Sequence, residues 1–386
     1  MTARWHILTP ELPPGCGGVG DYTAQVAQAL AQSGDLVSVY SPPAAQQWPA
    51  PPGIEVLGLP DRFGPQSMRM LAARLSAETS PSRLLVQYVP NVFGRHGANL
   101  PFSLWLRSRR RVRGDDVRVM FHEPYLYFRW RPDHVATAIA QRAMAAVLLR
   151  GATEVYASTD AWRRYLLPYG GSAARDVRTL PIPSAILEVE SAAEVLAIRE
   201  NCLLPGGCLV GHFGSYGAHI TPMLRESLRT LLFAEPSVVA LCTGAGSDRF
   251  VARMRADHQS IASRIVGTGR TAARDVSVHL QACDVMLQPY PDGVTTRRTS
   301  VMAGLANRRP VVTTEGALTE SVWRATGAVA LAPAGTTAPL VGAVRRLLRD
   351  EPARAALAAR GSAAYAAMFD LRHTISALRG EALARV

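Results

Sequence analysis

The stretch Trp5–Tyr40, WHILTPELPPGCGGVGDYTAQVAQALAQSGDLVSVY, decides the fold class. It opens on the apolar run Trp5–Thr9. A Gly/Pro turn follows over Pro10–Gly20, then a helical pattern with Val26, Ala27 and Leu30, then a second apolar run, Leu36–Tyr40. Strand, loop, helix, strand is a βαβ unit and implies a parallel sheet. In an open parallel sheet the carboxyl ends of the strands face the ligand crevice, so chemistry is sought in the loops that follow strands.

Outward from this unit, short apolar strands are predicted at Leu84–Tyr88, Val117–His122 and Glu154–Ser158, with a long buried helix at Val135–Leu149. Arg178–Ser184 is Pro-rich, and Ala185–Cys202 is a polar, helical-looking bridge. A second alternating set starts at Leu209, with strands at Leu209–Phe213, Val238–Cys242, Arg264–Val266, Val285–Pro289 and Pro310–Thr314. Helices are predicted around Pro222–Phe233, from Asp275 through Cys283, and at Thr299–Ala306. The tail, Pro339–Val386, reads as Ala- and Arg-rich helix interrupted near Gly361 and Phe369-Asp370. The chain is α/β, with two similar halves joined near residue 185 and no repeat of fixed period.

Length and composition bound the rest. The 386 residues are enough for two or three domains, and 48% hydrophobic with 19% charged is a globular balance. All 42 basic residues are Arg against 30 acidic ones, a net charge of +12. Without Lys there is no Schiff base, no P-loop and no amine base. Every permanent side-chain cation is a planar guanidinium, suited to bidentate phosphate contact. Codon bias is the favoured cause of an Arg-only chain, and the consequence for mechanism holds either way. The five cysteines form no C-x-x-C pair, which argues against a disulfide framework and a zinc site and makes the cytoplasm the default. The start of the chain breaks at Pro10, early for a signal peptide, and no apolar run approaches a membrane span. The run Arg107, Arg109, Arg110, Arg111 and Arg113 reads either as the solvated end of an amphipathic helix or as a weak contact with the inner membrane surface. No nucleic-acid motif accompanies the charge, so nucleic acid is not an expected partner.

Three segments carry candidate chemistry. In Pro10–Asp21 the glycines allow backbone to approach a ligand at a helix N-terminus, and a tight strand-to-helix turn explains them as well. In Val119–Pro124 an apolar strand delivers His122 to a carboxyl edge, where imidazole can donate to a sugar hydroxyl or move a proton. The richest is Asp284–Ser300, DVMLQPYPDGVTTRRTS. A buried strand ends in Pro and Gly, and hydroxyls with two Arg lead into a helix. Backbone amides, hydroxyls and guanidinium groups there make a phosphate or diphosphate cradle. Asp292 can accept from sugar hydroxyls.

Together these segments resemble a retaining glycosyltransferase of the GT-B fold, similar to glycosyltransferase family 4, over nearly the whole chain. The family's Gly-Gly-x-Gly loop is matched by Gly17-Gly18-Val19-Gly20, and its strand-end His by His122. Its E-x7-E motif is matched with substitutions. Asp292-Gly293 takes the first Glu-Gly position, and Ser300, in Ser300-Val301-Met302-Ala303, takes the second Glu position. Arg309-Pro310-Val311-Val312 follows as the strand. The diphosphate-clamping Arg and Lys after the first strand of the second domain are replaced, Ser215 standing near the Arg and His219 near the Lys.

The resemblance implies two Rossmann-like domains with parallel sheets facing across a cleft. Residues 1–185 would be the acceptor domain and 186–368 the nucleotide-sugar donor domain, with 369–386 a helix packing back on the first. It implies a metal-independent transfer of sugar from a nucleotide-sugar to an acceptor hydroxyl with retention, no cofactor, and no D-x-D metal motif. His122 and Asp292 are the catalytic candidates. Gly18, Gly20, Ser215, His219, Gly293, Val294, Thr295, Arg297, Arg298, Thr299 and Ser300 are the donor-binding candidates, with Arg297 to Ser300 replacing the missing ligands. Acceptor contacts, to a small molecule, a glycan or a lipid-linked sugar, are expected from Asp21, Gln87 and Tyr88, with Asn91, Tyr125, Tyr127, Phe128 and Trp130 as further candidates. The alternatives are a sugar-nucleotide epimerase, a pseudo-glycosyltransferase, or a non-catalytic binder of phosphorylated ligands.

Overall fold

The computed structural model describes residues 2–13, 17–43, 48–78, 81–93, 97–125, 132–171, 176–203 and 205–381. Pro14–Cys16 of the glycine segment, and Tyr127, Phe128 and Trp130 of the aromatic stretch, lie outside them. The chain forms two compact units. The first runs to Pro181 and includes the helix Leu371–Arg379; the second is Ile182–Asp370.

Seven strands build the first sheet: β1 (Arg4–Leu8), β2 (Leu36–Ser41), β3 (Ile54–Gly58), β4 (Arg83–Tyr88), β5 (Asp116–Phe121), β6 (Glu154–Ala157) and β7 (Arg178–Thr179). All pair parallel, in the order β3-β2-β1-β4-β5-β6-β7. The second sheet has β8 (Cys208–Phe213), β9 (Val238–Thr243), β10 (Ile265–Gly267), β11 (Val285–Gln288), β12 (Val311–Glu315) and β13 (Ala330–Pro333). Its order is β10-β9-β8-β11-β12-β13, again parallel. Both sheets are doubly wound, and the strand order reverses between β1 and β4 in one and between β8 and β11 in the other. Those are the points where such sheets open a crevice.

The strands are buried on both faces, which is why they read as apolar runs rather than alternating ones. In the second unit the period of two survives inside the run. Val210, Ala240, Cys242, Val285, Leu287 and Val312 feed the core on one face. Their neighbours Leu209, Val239, Leu241, Met286 and Val311 feed the other. Helix Gly18–Gln32 buries Tyr22, Val26 and Leu30, one stripe at a spacing of four. Helix Ala338–Arg349 starts on a Pro in its first turn and buries Leu340, Val341, Ala343, Val344 and Leu347.

The structure corrects several readings. Strands β3 and β13 were not expected from the sequence. Both lie at sheet edges and are short and only partly buried, so their apolar signal is weak. Gly361 does not interrupt the tail. It sits inside helix Glu351–Ala364, where an added Cβ would lie 2.8 Å from Leu305 Cδ2 and 2.9 Å from the Ala328 carbonyl oxygen. It is a close-packing glycine. The tail breaks earlier, at Asp350, whose side chain accepts from Ala353 N at 2.9 Å and caps the next helix. The basic run is not uniformly solvated either. Arg109 is buried and pairs with Asp115 at 2.5 Å, and Arg110 donates to the Ala152 carbonyl at 2.6 Å. Arg111, Val112 and Arg113 remain exposed. Among the described residues no helix is long and apolar enough to cross a membrane.

Candidate active site

In the first unit, β1 and helix Gly18–Gln32 are joined by the glycine segment. Gly20 lies against backbone, since a Cβ there would be 3.2 Å from Leu12 Cα; at Gly18 a Cβ would meet nothing within 4 Å. Gly20 therefore serves close packing, and Gly18 leaves open space at the helix N-terminus. The carboxylate of Glu11 accepts from Gly20 N at 3.2 Å. It occupies the place a side-chain cap would take and suits the positive end of the helix. Asp21 lies exposed in the first turn.

Two strands along, β4 and β5 bring Gln87 and His122 together. His122 Nε2 is 2.8 Å from Gln87 Oε1. A carboxamide oxygen only accepts, so Nε2 carries the imidazole proton in this contact. Both residues are buried, and the other amide atom, Gln87 Nε2, has no partner. Tyr88 is different. It is fully buried and packs on Phe93 and Phe121, ring centroids 5.8 and 4.8 Å away. Alternation along β4 turns it into the core, which removes it from the expected acceptor contacts. Asn91 Oδ1 accepts from Gln141 Nε2 at 3.0 Å.

In the second unit, the loops after β8 and β11 meet where the strand order reverses. His219 Nε2, in the loop after β8, donates to Asp292 Oδ2, in the loop after β11, at 2.9 Å, both side chains about half exposed (56% and 48%). The expected Lys position and first-Glu position are thus joined in one ion-pair contact. Ser215 is exposed in the same β8 loop. The loops are seated by glycines. A Cβ on Gly244 would come 2.4 Å from the Gly214 carbonyl oxygen, and one on Gly293 would come 2.2 Å from Thr319 Oγ1 and 2.4 Å from Gly316 N.

Segment Tyr290–Ser300 holds the cations. The Arg298 guanidinium lies over the Tyr290 ring, 4.3 Å from its centroid. The Tyr290 hydroxyl is bonded to Ser300 Oγ at 2.5 Å. Burial lowers the pKa of Arg298, and its Nε is buried without a hydrogen-bond partner. It forms no ion pair among the described residues, although the Asp292 carboxylate acts on it at longer range, so a part-buried cation with a desolvated Nε stands beside the N-terminus of helix Thr299–Ala306. Thr295 Oγ1, three residues earlier, is also buried and unpartnered. Arg297 is half-buried, and Thr299 and Ser300 lie in the first helical turn.

The family model for a glycosyl transferase 4-like domain matches residues 17–183. Solved structures align over nearly all of the chain. HepE of Anabaena, in complex with UDP and glucose, is 14% identical with a TM-score of 0.71, covering 98% of this chain and 98% of its own. Sucrose-phosphate synthase of Thermosynechococcus elongatus is 15% identical with a TM-score of 0.72, covering 98% and 97%. Trehalose 6-phosphate synthase of Burkholderia multivorans is 14% identical with a TM-score of 0.67, covering 100% of each. The chain thus has the GT-B glycosyltransferase fold, and its residues 17–183 are similar to a glycosyl transferase 4-like domain. Among curated proteins none matches the sequence.

Within this GT-B chain, the cradle drawn from the sequence needs one correction. Two of its backbone amides are engaged within the protein. Gly293 N donates to the Tyr290 carbonyl at 2.9 Å and Val294 N to the Thr314 carbonyl at 2.9 Å. The Val294 side chain is core. Gly293 and Val294 therefore shape the loop, and what is left to meet an anion is Arg298, Arg297 and the hydroxyls. Sequence reasoning also missed Glu320. Its buried carboxylate accepts from Thr296 N at 2.5 Å, Thr296 Oγ1 at 2.6 Å and Trp323 Nε1 at 3.4 Å, pinning the loop just before the Arg pair. Its signal is a contact 24 residues along the chain, which no local pattern carries.

One titration follows from the site's floor. His212, on β8, donates from Nδ1 to the Leu287 carbonyl at 2.8 Å, and burial lowers its pKa from 6.5 to about 4. Between those values the unfolded chain binds a proton that the native state refuses. Stability from this group is present above its unfolded pKa and is lost as pH falls towards 4, by about 3 kcal/mol in all. The melting temperature of the wild type is expected to drop more steeply from pH 7 to pH 4.5 than that of His212→Asn, whose amide can still donate to Leu287. Parallel curves would contradict this.

Proposed function

We propose that the chain transfers a sugar from a nucleoside-diphosphate sugar to an acceptor hydroxyl, with retention at the anomeric carbon and without a metal ion. The observation that carries this reading is the part-buried Arg298, its Nε desolvated and unpartnered, beside a helix N-terminus at the strand-order reversal. Such a place suits a diphosphate, which supplies two adjacent anions for a guanidinium fork and a helix end. HepE, which shares the fold, is known in complexes with UDP, glucose and UDP-glucose, in keeping with a donor of this class.

In the proposed reaction the acceptor oxygen bonds to the anomeric carbon on the face from which the diphosphate leaves. The acceptor proton passes to the departing phosphate. Arg298, with Arg297 and the Thr295, Thr299 and Ser300 hydroxyls, would stabilise the developing negative charge. The His219–Asp292 pair would hold donor hydroxyls and bring carboxylate charge near the oxocarbenium-like sugar. Gln87 and His122 would contact sugar hydroxyls on the first unit, with Asp21 on the acceptor. A metal-independent reaction requires guanidinium groups to do the work that a cation does elsewhere. Among the described residues no group of three or more His, Cys, Asp or Glu gathers to hold a metal.

Turnover of a nucleotide-sugar is expected to survive EDTA unchanged, and the product anomer, read by NMR, to match the donor. Loss in EDTA with recovery on magnesium or manganese would overturn the metal-free part. An inverted anomer would overturn retention.

A further inference from the structure

The loop after β8 carries one strained residue. Tyr216 has φ +55, in the left-handed region that bulky side chains rarely adopt. Glycine takes that conformation freely, and Gly214 and Gly217 stand two residues before it and one after. A tyrosine persists there only where its surroundings hold it, and strain held in this way clusters where loop shape serves a site. The Tyr216 ring stands edge-on to His212, centroids 5.2 Å apart at 73°, and packs on Phe250 at 5.1 Å, against the core of the second unit. Its hydroxyl proton is shared between the carbonyls of His212 and Thr243, at 3.3 and 3.4 Å. Its own carbonyl accepts from Thr221 Oγ1 at 2.9 Å, in the first turn of helix Thr221–Ala234.

The span around Tyr216 is short and fastened at both ends. Before it, Gly214 N donates to the same Thr243 carbonyl at 3.1 Å. After it, the Gly217 carbonyl accepts from Ile220 N and Thr221 N, each at 3.0 Å. Inside that last turn lies His219, which reaches Asp292 at 2.9 Å. Of residues 215–219, Tyr216 alone is not exposed, so its side chain is the one inward anchor of the loop. We infer that Tyr216 is a positioning residue for His219: its ring and hydroxyl set the left-handed turn from which His219 meets Asp292. This rests on the reading of the His219–Asp292 pair as part of donor binding. Without the ring the turn loses its anchor and His219 samples positions away from Asp292. Helix Thr221–Ala234 stays in place through its own buried Leu224, Leu228 and Leu231.

The test uses the full chain labelled with 15N-histidine. His219→Gln assigns the His219 signals, and Asp292→Asn gives their position without the ion pair. Tyr216→Gly keeps the backbone conformation accessible and removes the anchor. It is expected to move the His219 ring nitrogens most of the way to the Asp292→Asn position. Tyr216→Phe keeps the ring and loses only the bonds to the two carbonyls, and is expected to move them part of the way. With UDP-glucose as the probe donor, KM is expected to rise about tenfold in Tyr216→Gly with kcat within about twofold of wild type, because a group that holds the donor alike in ground and transition states acts on KM. Unmoved His219 signals in Tyr216→Gly would overturn the inference, as would a wild-type KM there when Asp292→Asn raises it. Should Tyr216→Gly not fold, Tyr216→Phe decides alone by the same signals. A wild-type KM in Asp292→Asn is a separate failure: it removes the reading of the pair in donor binding, while the nitrogen signals still decide the coupling of Tyr216 to His219.

Discussion

Arg298→Ala is expected to lower kcat/KM for the nucleotide-sugar, and affinity for the nucleoside diphosphate, by about a hundredfold, the equivalent of roughly 3 kcal/mol. The size follows from burial. A guanidinium in water loses much of its attraction to screening, whereas Arg298 is partly withdrawn from water, over the Tyr290 ring, with a buried, unpartnered Nε. A partly desolvated charge is costly without a close anion, and a diphosphate would remove that cost. Arg297 is the internal control: of the two guanidinium groups only that of Arg298 has a buried nitrogen without a hydrogen-bond partner, and truncation of Arg297 is expected to cost only a fewfold. Arg298→Lys keeps the charge but loses the fork and the flat face on Tyr290, so an intermediate loss of about tenfold is expected. Calorimetric titration with UDP, GDP and ADP reads all three variants. Equal effects at Arg297 and Arg298 would mean that burial is not what matters.

Gly293→Ala is expected to destabilise the second unit by several kcal/mol and to abolish turnover. Gly293 has φ +90, a conformation that L side chains rarely adopt. Its added Cβ would also lie 2.4 Å from Gly316 N, and the reciprocal Cβ on Gly316 would lie 2.6 Å from the Asp292 carbonyl carbon. These are backbone atoms, so no rotamer change relieves the overlap. The loops after β11 and β12 must separate, and Asp292 leaves His219. Strain and steric overlap together put the cost at about 3 kcal/mol or more. Gly217→Ala, in the neighbouring loop, is the control. Its Cβ would meet nothing within 4 Å, and melting is expected to stay within about 0.5 kcal/mol of wild type. A Gly293→Ala protein that melts and turns over like Gly217→Ala would contradict this account of the loop.

The legible parts of the sequence were those set by local pattern. Central strands such as β1, β5 and β11 are buried on both faces, and their apolar runs stand out between turn residues. His122 and Asp292 could be placed because each follows such a strand. The short, half-buried edges β3 and β13 could not. Glycine was ambiguous for a physical reason: the residue that permits a turn also permits close packing, so Gly361 read as a break and proved to be a contact. The Tyr290–Arg298–Ser300 cluster was half legible. Its members are neighbours in sequence, but that Arg298 turns inward while the amides of Gly293 and Val294 are consumed by Tyr290 and Thr314 depends on β12 lying alongside. Glu320 was beyond reach, because it acts on Thr296, far away in the chain.

The central claim is that the second unit binds a nucleoside diphosphate through Arg298. The most direct measurement is a thermal-shift titration of the wild type and Arg298→Ala with UDP, GDP and ADP, without added metal. Binding to the folded state raises the melting temperature by mass action. The account predicts that at least one nucleotide raises the wild-type melting temperature in a concentration-dependent way, and that Arg298→Ala, folded as wild type, loses the rise. No shift with any of the three, or an undiminished shift in Arg298→Ala, would contradict it.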